Sequence, residues 1–162
     1  MKKTASITPF AAVLLMLLTA GCEARKGGSK IDVPELGLTM RLPAGWSADR
    51  RNPRMFIDAG NEDNLGLIED YPLEGKTLSE YVGQFSELGP PGAAARAISR
   101  NSTTISGLEA IEMVTQSVEA SIIEVDVRRG DSVMRVSFRT RKEDFPAHER
   151  SFREAFSSIS IR

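Results

Sequence analysis

Few side chains in this 162-residue chain could do chemistry. It has one histidine, His148, flanked by Glu149 and Arg150, so a histidine-based metal cluster is impossible. A catalytic dyad would need a distant serine, and no Gly-x-Ser-x-Gly elbow supplies one. Two carboxylate pairs could serve as the acid and base of a hydrolase: Glu124 with Asp126 on one strand face, and Glu109 with Glu112 nearby. Polar residues alternating with apolar ones are also what any half-exposed strand shows, so a solvated face is expected for them. Asn61 to Asn64 is rich in oxygen ligands, but Leu65 falls on a ligand position of the EF-hand order, and no metal site is expected. Arg50, Arg51 and Arg54 form a loop cluster able to meet phosphates or an acidic partner, and they are the candidate partner surface. Arg129-Gly130-Asp131 sits where a hairpin needs a glycine turn.

The remaining reactive group is the thiol of Cys22, the only cysteine. It follows a basic start at Lys2 and Lys3, an apolar run from Phe10 to Leu18, and the small residues Ala20 and Gly21. A spanning helix needs about 20 mostly apolar residues, which this run with Pro9 before it does not provide. The pattern resembles a bacterial lipoprotein signal, although Thr19 stands where that signal usually has an aliphatic residue. The resemblance implies cleavage between Gly21 and Cys22, diacylglycerol in thioether linkage on the Cys22 sulfur, and an N-acyl chain on the new terminus. Two or three acyl chains, at about 0.8 kcal/mol per buried methylene, anchor a protein durably. Glu23 follows the cysteine in place of the aspartate associated with inner-membrane retention, so the expected site is the outer membrane, facing the periplasm. No cofactor is expected beyond the lipid, and no disulfide-linked partner.

The expected organisation is a signal peptide at 1–21, a lipidated flexible tether at 22–30 and a globular domain at 31–162. Losing Lys2 and Lys3 with the signal leaves 19 basic against 22 acidic side chains, a formal charge of −3, too close to neutral to suggest nucleic acid. The tether, Glu23-Ala-Arg-Lys-Gly-Gly-Ser-Lys30, has no apolar periodicity and would span roughly 16 Å as a coil. Beyond it, a chain of this length buries about two-thirds of its unfolded surface without disulfides.

The elements that must position any site follow from periodicity. Leu38, Met40 and Leu42 alternate with polar residues, as in a half-buried strand, and Pro43-Ala-Gly-Trp46 stops it with Trp46 turned to the core. Strands at 54–59 and 65–70, separated by a turn-rich stretch, are expected to form a meander with it. Thr77-Leu-Ser-Glu80 is a capping box, and Leu78, Tyr81, Val82, Phe85 and Leu88 form one apolar stripe behind it. Two strands of ambiguous facing flank Gly107. Around Gly130-Asp131, a hairpin places Val127 opposite Met134, Val125 opposite Val136, Ile123 opposite Phe138, and Asp126 opposite Arg135. Asp144, with Pro146 in the first turn, opens a last helix carrying Phe145, His148, Phe152 and Phe156. A short strand at 157–161 ends the series.

These elements make an α+β fold, a single antiparallel sheet flanked by helices. Leu38-Thr-Met-Arg-Leu-Pro-Ala-Gly-Trp46, the Thr77 helix, Ile105-Ser-Gly-Leu-Glu-Ala110 and Phe152-Arg-Glu-Ala-Phe-Ser-Ser-Ile159 resemble the PsbP-like family, including DcrB-like bacterial lipoproteins, over residues 31–162. The resemblance implies an α/β/α sandwich and a non-enzymatic accessory or assembly factor with an envelope protein partner, held to the membrane by its lipid. A carrier or chaperone for lipid or apolar helices is the second reading, and a hydrolase the third. No metal site of the family maps onto these residues.

Overall fold

The computed structural model describes residues 28–49, 51–86 and 95–162. Ten strands and two helices follow in the order β1 (Lys30–Val33), β2 (Leu38–Arg41), β3 (Trp46–Ala48), β4 (Met55–Asp58), β5 (Asn61–Pro72), α1 (Leu78–Ser86), β6 (Arg96–Ile105), β7 (Leu108–Gln116), β8 (Ala120–Arg129), β9 (Ser132–Arg141), α2 (Phe145–Ser157) and β10 (Ser160–Ile161). They form not one sheet but two: seven strands in the order β3-β4-β5-β9-β8-β7-β6, and three in the order β1-β2-β10. Every pairing is antiparallel.

The separate small sheet corrects the single-sheet expectation and the meander through β2. Gly37, left-handed at φ 58°, closes a single 3-10 turn and folds β2 back onto β1, so β2 already has a partner before the chain reaches β3. After Leu42 the chain leaves this sheet through Pro43 and Gly45 (φ 86°), and Trp46 opens a different one. Strand β5 is also longer than expected, because the polar Asn61–Asn64 stretch is extended backbone rather than loop.

The β8–β9 hairpin has the expected register, with Val127 opposite Met134, Val125 opposite Val136, Ile123 opposite Phe138 and Asp126 opposite Arg135. Gly130 takes φ 59°, the positive value its turn requires. The odd-numbered apolar residues of β8 join Phe56, Ile68, Met134, Val136 and Phe138 on one sheet face. Phe145, Phe152 and Phe156 of α2, with Val33, Leu38 and Met40 of the small sheet, cover that face. Phe138 and Phe152 stack with ring centres 4.6 Å apart, and Trp46 stands edge-on to both at 5.2 and 5.4 Å. Gly66 is required here. A Cβ at that position would lie 2.8 Å from Phe56 and 2.9 Å from Phe138.

Helix α1 lies on the opposite face. Its capping box forms as read: the Thr77 amide donates to Glu80 Oε2 at 2.8 Å, and the Glu80 amide to Thr77 Oγ1 at 3.2 Å. Leu78, Tyr81 and Val82 then pack on Ile111, Met113 and Val133. Helix α2 begins where expected, but Asp144 contributes no side-chain cap. Its backbone carbonyl accepts from Ala147 at 3.0 Å instead.

Candidate functional site

The polar face of the hairpin is where charges gather. Asp126 and Arg135 face each other across β8 and β9, and the guanidinium grips the carboxylate with two hydrogen bonds, Nε to Oδ1 at 2.8 Å and Nη2 to Oδ2 at 2.9 Å. Glu124 stands two residues along the same face, its Oε1 3.5 Å from Arg135 Nη2. Glu69 comes opposite Arg135 from β5, and the Tyr71 ring lies 5.8 Å from the guanidinium carbon. Asp126 is wholly buried and Glu124 is 8% exposed. The solvated face expected for these two carboxylates is therefore wrong. Periodicity showed that they share a face with Arg135, and Leu78, Tyr81 and Val82 of α1 cover that end of the sheet.

Burial sets the protonation of this cluster. Removal from water pushes Glu124 from 4.5 to about 7, with Asp126 and Glu69 adding to the rise against the opposing pull of Arg135. Burial likewise raises Asp126, although its hydrogen bonds with Arg135 oppose it. Burial alone would lower Arg135, yet its bonds to Asp126 and the charge of Glu124 leave it raised, so it stays cationic. Burial, together with a hydrogen bond to Glu69, carries the Tyr71 hydroxyl to about 12.

A raised carboxylate beside a second acid is the arrangement an acid–base enzyme uses, so access decides its meaning. Asp126 is fully buried and Glu124 only 8% exposed, and neither lines the two grooves nearest the sheet ends. One groove of about 730 Å³ runs from Ile57 and Leu65 to Val118 and Glu143. Another, of about 410 Å³, lies between the end of β6 and α2. The second carboxylate pair does not exist as a pair: Glu109 meets Arg128 at 3.6 Å, while Glu112 joins Arg153 of α2.

The other sequence candidates are dispersed. Gly21, Cys22 and Arg50 lie outside the described residues. Arg51 is exposed and Arg54 half-buried on a loop built by two side-chain turns. Asp49 Oδ1 accepts the amides of Arg51 and Asn52 at 2.6 and 3.1 Å, and Asn52 Oδ1 accepts that of Arg54 at 3.1 Å. The Asn61–Asn64 oxygens diverge: buried Asn64 donates to Asp58 at 3.0 Å, while Asp63 pairs with Arg141. His148 is half-buried, its ring stacked 5.7 Å from Phe152. Among the described residues no group of three or more metal-ligating side chains converges, and no helix is long and apolar enough to cross a membrane.

No protein-family model matches the chain, and no curated protein matches it in sequence. Solved structures match its fold. The solution structure of cyanobacterial PsbP (CyanoP) from Synechocystis sp. PCC 6803 superposes with a TM-score of 0.61 at 14% identity, covering 90% of this chain and 99% of that one. PA94 from Pseudomonas aeruginosa, a protein of unknown function, gives 0.58 at 17% identity over 83% and 96%. LpqN, involved in cell envelope biogenesis of Mycobacterium tuberculosis, gives 0.53 at 11% identity over 76% and 82%. The domain is PsbP-like in fold.

Proposed function

We propose that this PsbP-like domain is a non-enzymatic accessory protein of the bacterial cell envelope, held by lipid on Cys22 at the outer membrane and acting through protein–protein contact in the periplasm. One observation carries the reading: the carboxylate best tuned for acid–base work, Glu124, is buried beside the Arg135–Asp126 pair and only 8% exposed. A carrier of lipid or apolar helices would want an enclosed apolar cavity, whereas the groove of about 730 Å³ is open and carries Glu62, Asp63, Glu119, Arg139 and Arg141 on its walls. The envelope role of LpqN, which shares this fold, supports the setting.

The anchor is tested directly. Cys22→Ser should abolish lipidation and leave an uncleaved or soluble product, so a processed variant of wild-type mass in the membrane fraction would refute the lipoprotein assignment. A soluble form beginning at Lys30 should fold normally yet fail to complement a deletion. Crosslinking in cells should capture one specific envelope protein with the wild type and much less with the soluble form. Turnover of a substrate by the soluble domain, abolished by replacing Glu124 or His148 with folding unchanged, would overturn the accessory role.

A further inference from the structure

Strand β6 ends the seven-stranded sheet, and among the described residues nothing pairs with its outer side. It runs for 10 residues and is exposed along most of its length, whereas β3 at the opposite edge has only 3. A two-residue turn at Ser106 and Gly107, both at positive φ, joins β6 to β7 and makes Ile105 and Leu108 the closing pair. The alternation of an antiparallel ladder then turns the amide and carbonyl groups of Arg100, Ser102 and Thr104 outward. Such an edge is a template for another strand.

Side chains around the edge narrow what that strand can be. Ile98, at the β6 bulge, is 55% exposed, one of two large apolar residues so exposed among the described ones. At the other end, the groove of about 410 Å³ lies between the strand and α2, lined by Thr103, Thr104, Ser106 and Ser157 over a buried apolar floor and walled by the Glu112–Arg153 ion pair. It offers a seat for a short polar side chain, such as threonine, projecting from an added strand. The charge of β6 is one-sided: Arg96 and Arg100 with no acid. Arg100 donates to the Ser79 carbonyl and hydroxyl at 2.7 and 2.9 Å, and no carboxylate among the described residues pairs with either arginine. Two copies of β6 paired antiparallel about Ser102 would set Arg100 opposite Thr104, so neither arginine would meet an acid.

We propose that β6 is the docking edge of this protein, and that its occupant is an extended, acidic strand of a partner protein which adds to the sheet beside Ser99–Thr104 and seats a threonine-like side chain between β6 and α2. This rests on the accessory-protein reading and supplies its surface. Backbone hydrogen bonds hold such a strand, and the side chains select it.

The test uses the full chain and a synthetic strand peptide of alternating valine and threonine, with one glutamate on each face of the strand. Fluorescence anisotropy should show this peptide binding at least about tenfold more tightly than its counterpart with lysines in place of the glutamates. Ser102→Pro, which removes an outward amide at an edge where proline is tolerated, should lose binding by a similar factor, and Ser102→Ala should not. In the wild type, peptide binding should slow hydrogen exchange at the amides of Arg100, Ser102 and Thr104. Equal binding of both peptides, or unchanged exchange along β6, overturns the proposal. Protection of β6 that depends on protein concentration alone would assign the edge to a second copy and also overturn it. An envelope partner captured through another surface, with β6 exchange unchanged, sinks the docking edge but leaves the accessory role standing. Failure to capture any partner counts against that role itself.

Discussion

Asp126 and Arg135 are held by two parallel hydrogen bonds at 2.8 and 2.9 Å, directly opposite each other in a hairpin whose other face carries the apolar pairs Ile123–Phe138, Val125–Val136 and Val127–Met134. A pair this buried specifies more than it stabilises, because both charges gave up water to form it. Arg135→Met should therefore destabilise the domain by about 3–5 kcal/mol, since it strands Asp126 and Glu124 without their cation. The double variant Arg135→Met with Asp126→Leu should recover much of that loss. Urea unfolding midpoints of the three proteins check both statements.

Glu124 gives stability a pH dependence of unusual sign for a carboxylate. Its folded pKa is raised to about 7 from 4.5, so its stabilising effect is complete below about pH 4.5 and is lost as pH rises through 7. Glu124→Gln keeps the neutral form at every pH. Relative to the wild type, that variant should gain on the order of 2–3 kcal/mol between pH 4.5 and 8. A wild-type-minus-variant difference that is flat with pH would mean Glu124 titrates normally.

The capping box should show in the helix it starts. Thr77→Ala removes the acceptor for the Glu80 amide and should cost about 1 kcal/mol. Glu80 runs opposite to Glu124: hydrogen bonds from the Thr77 backbone and hydroxyl lower its pKa, so its help is present at neutral pH and fades in acid. Thermal unfolding of Glu80→Gln at pH 7 and pH 3 should differ less than that of the wild type.

Gly66→Ala tests the close approach under the aromatic cluster. The added methyl would press on Phe56 and Phe138 at distances no Cβ tolerates, and one of the rings must move. A loss of about 1–3 kcal/mol is expected, with a changed near-ultraviolet signal from Trp46, which stands edge-on to Phe138.

Replacing His148 with alanine should leave complementation intact. The ring only stacks on Phe152 at the margin of α2, and no acid partner reaches it among the hydrogen bonds of the described residues. Loss of function in a normally folded His148→Ala protein would reopen the question of catalysis.

Local chemistry was legible in the sequence and long-range cover was not. The Thr77–Glu80 box and the Gly130 hairpin were readable to the residue because capping and turn geometry act within a few positions. The separate small sheet was not, since alternation in Leu38–Leu42 says that a strand has an apolar side but nothing about which strands lie beside it. β1 went unread because Ile31 and Val33 are too few to make a period. The burial of Glu124 and Asp126 was missed for a related reason: their face reads as polar until a helix from 40 residues upstream is placed on it. One hint was present, the opposite charges of Asp126 and Arg135 at directly paired positions.

The small sheet joins distant parts of the chain. β10 adds to β2 at only two rungs, Ser160 with Thr39 and Ile161 with Leu38, and the Ile161 amide also donates to Ser106 Oγ at 3.1 Å. Those rungs close a loop of about 120 residues, and such closure is entropically dear and therefore late. The consequence is kinetic. While residues 160–162 are still missing from a growing chain, β2 has β1 as its sole strand neighbour among the described residues, so the small sheet is completed only when the last residues arrive.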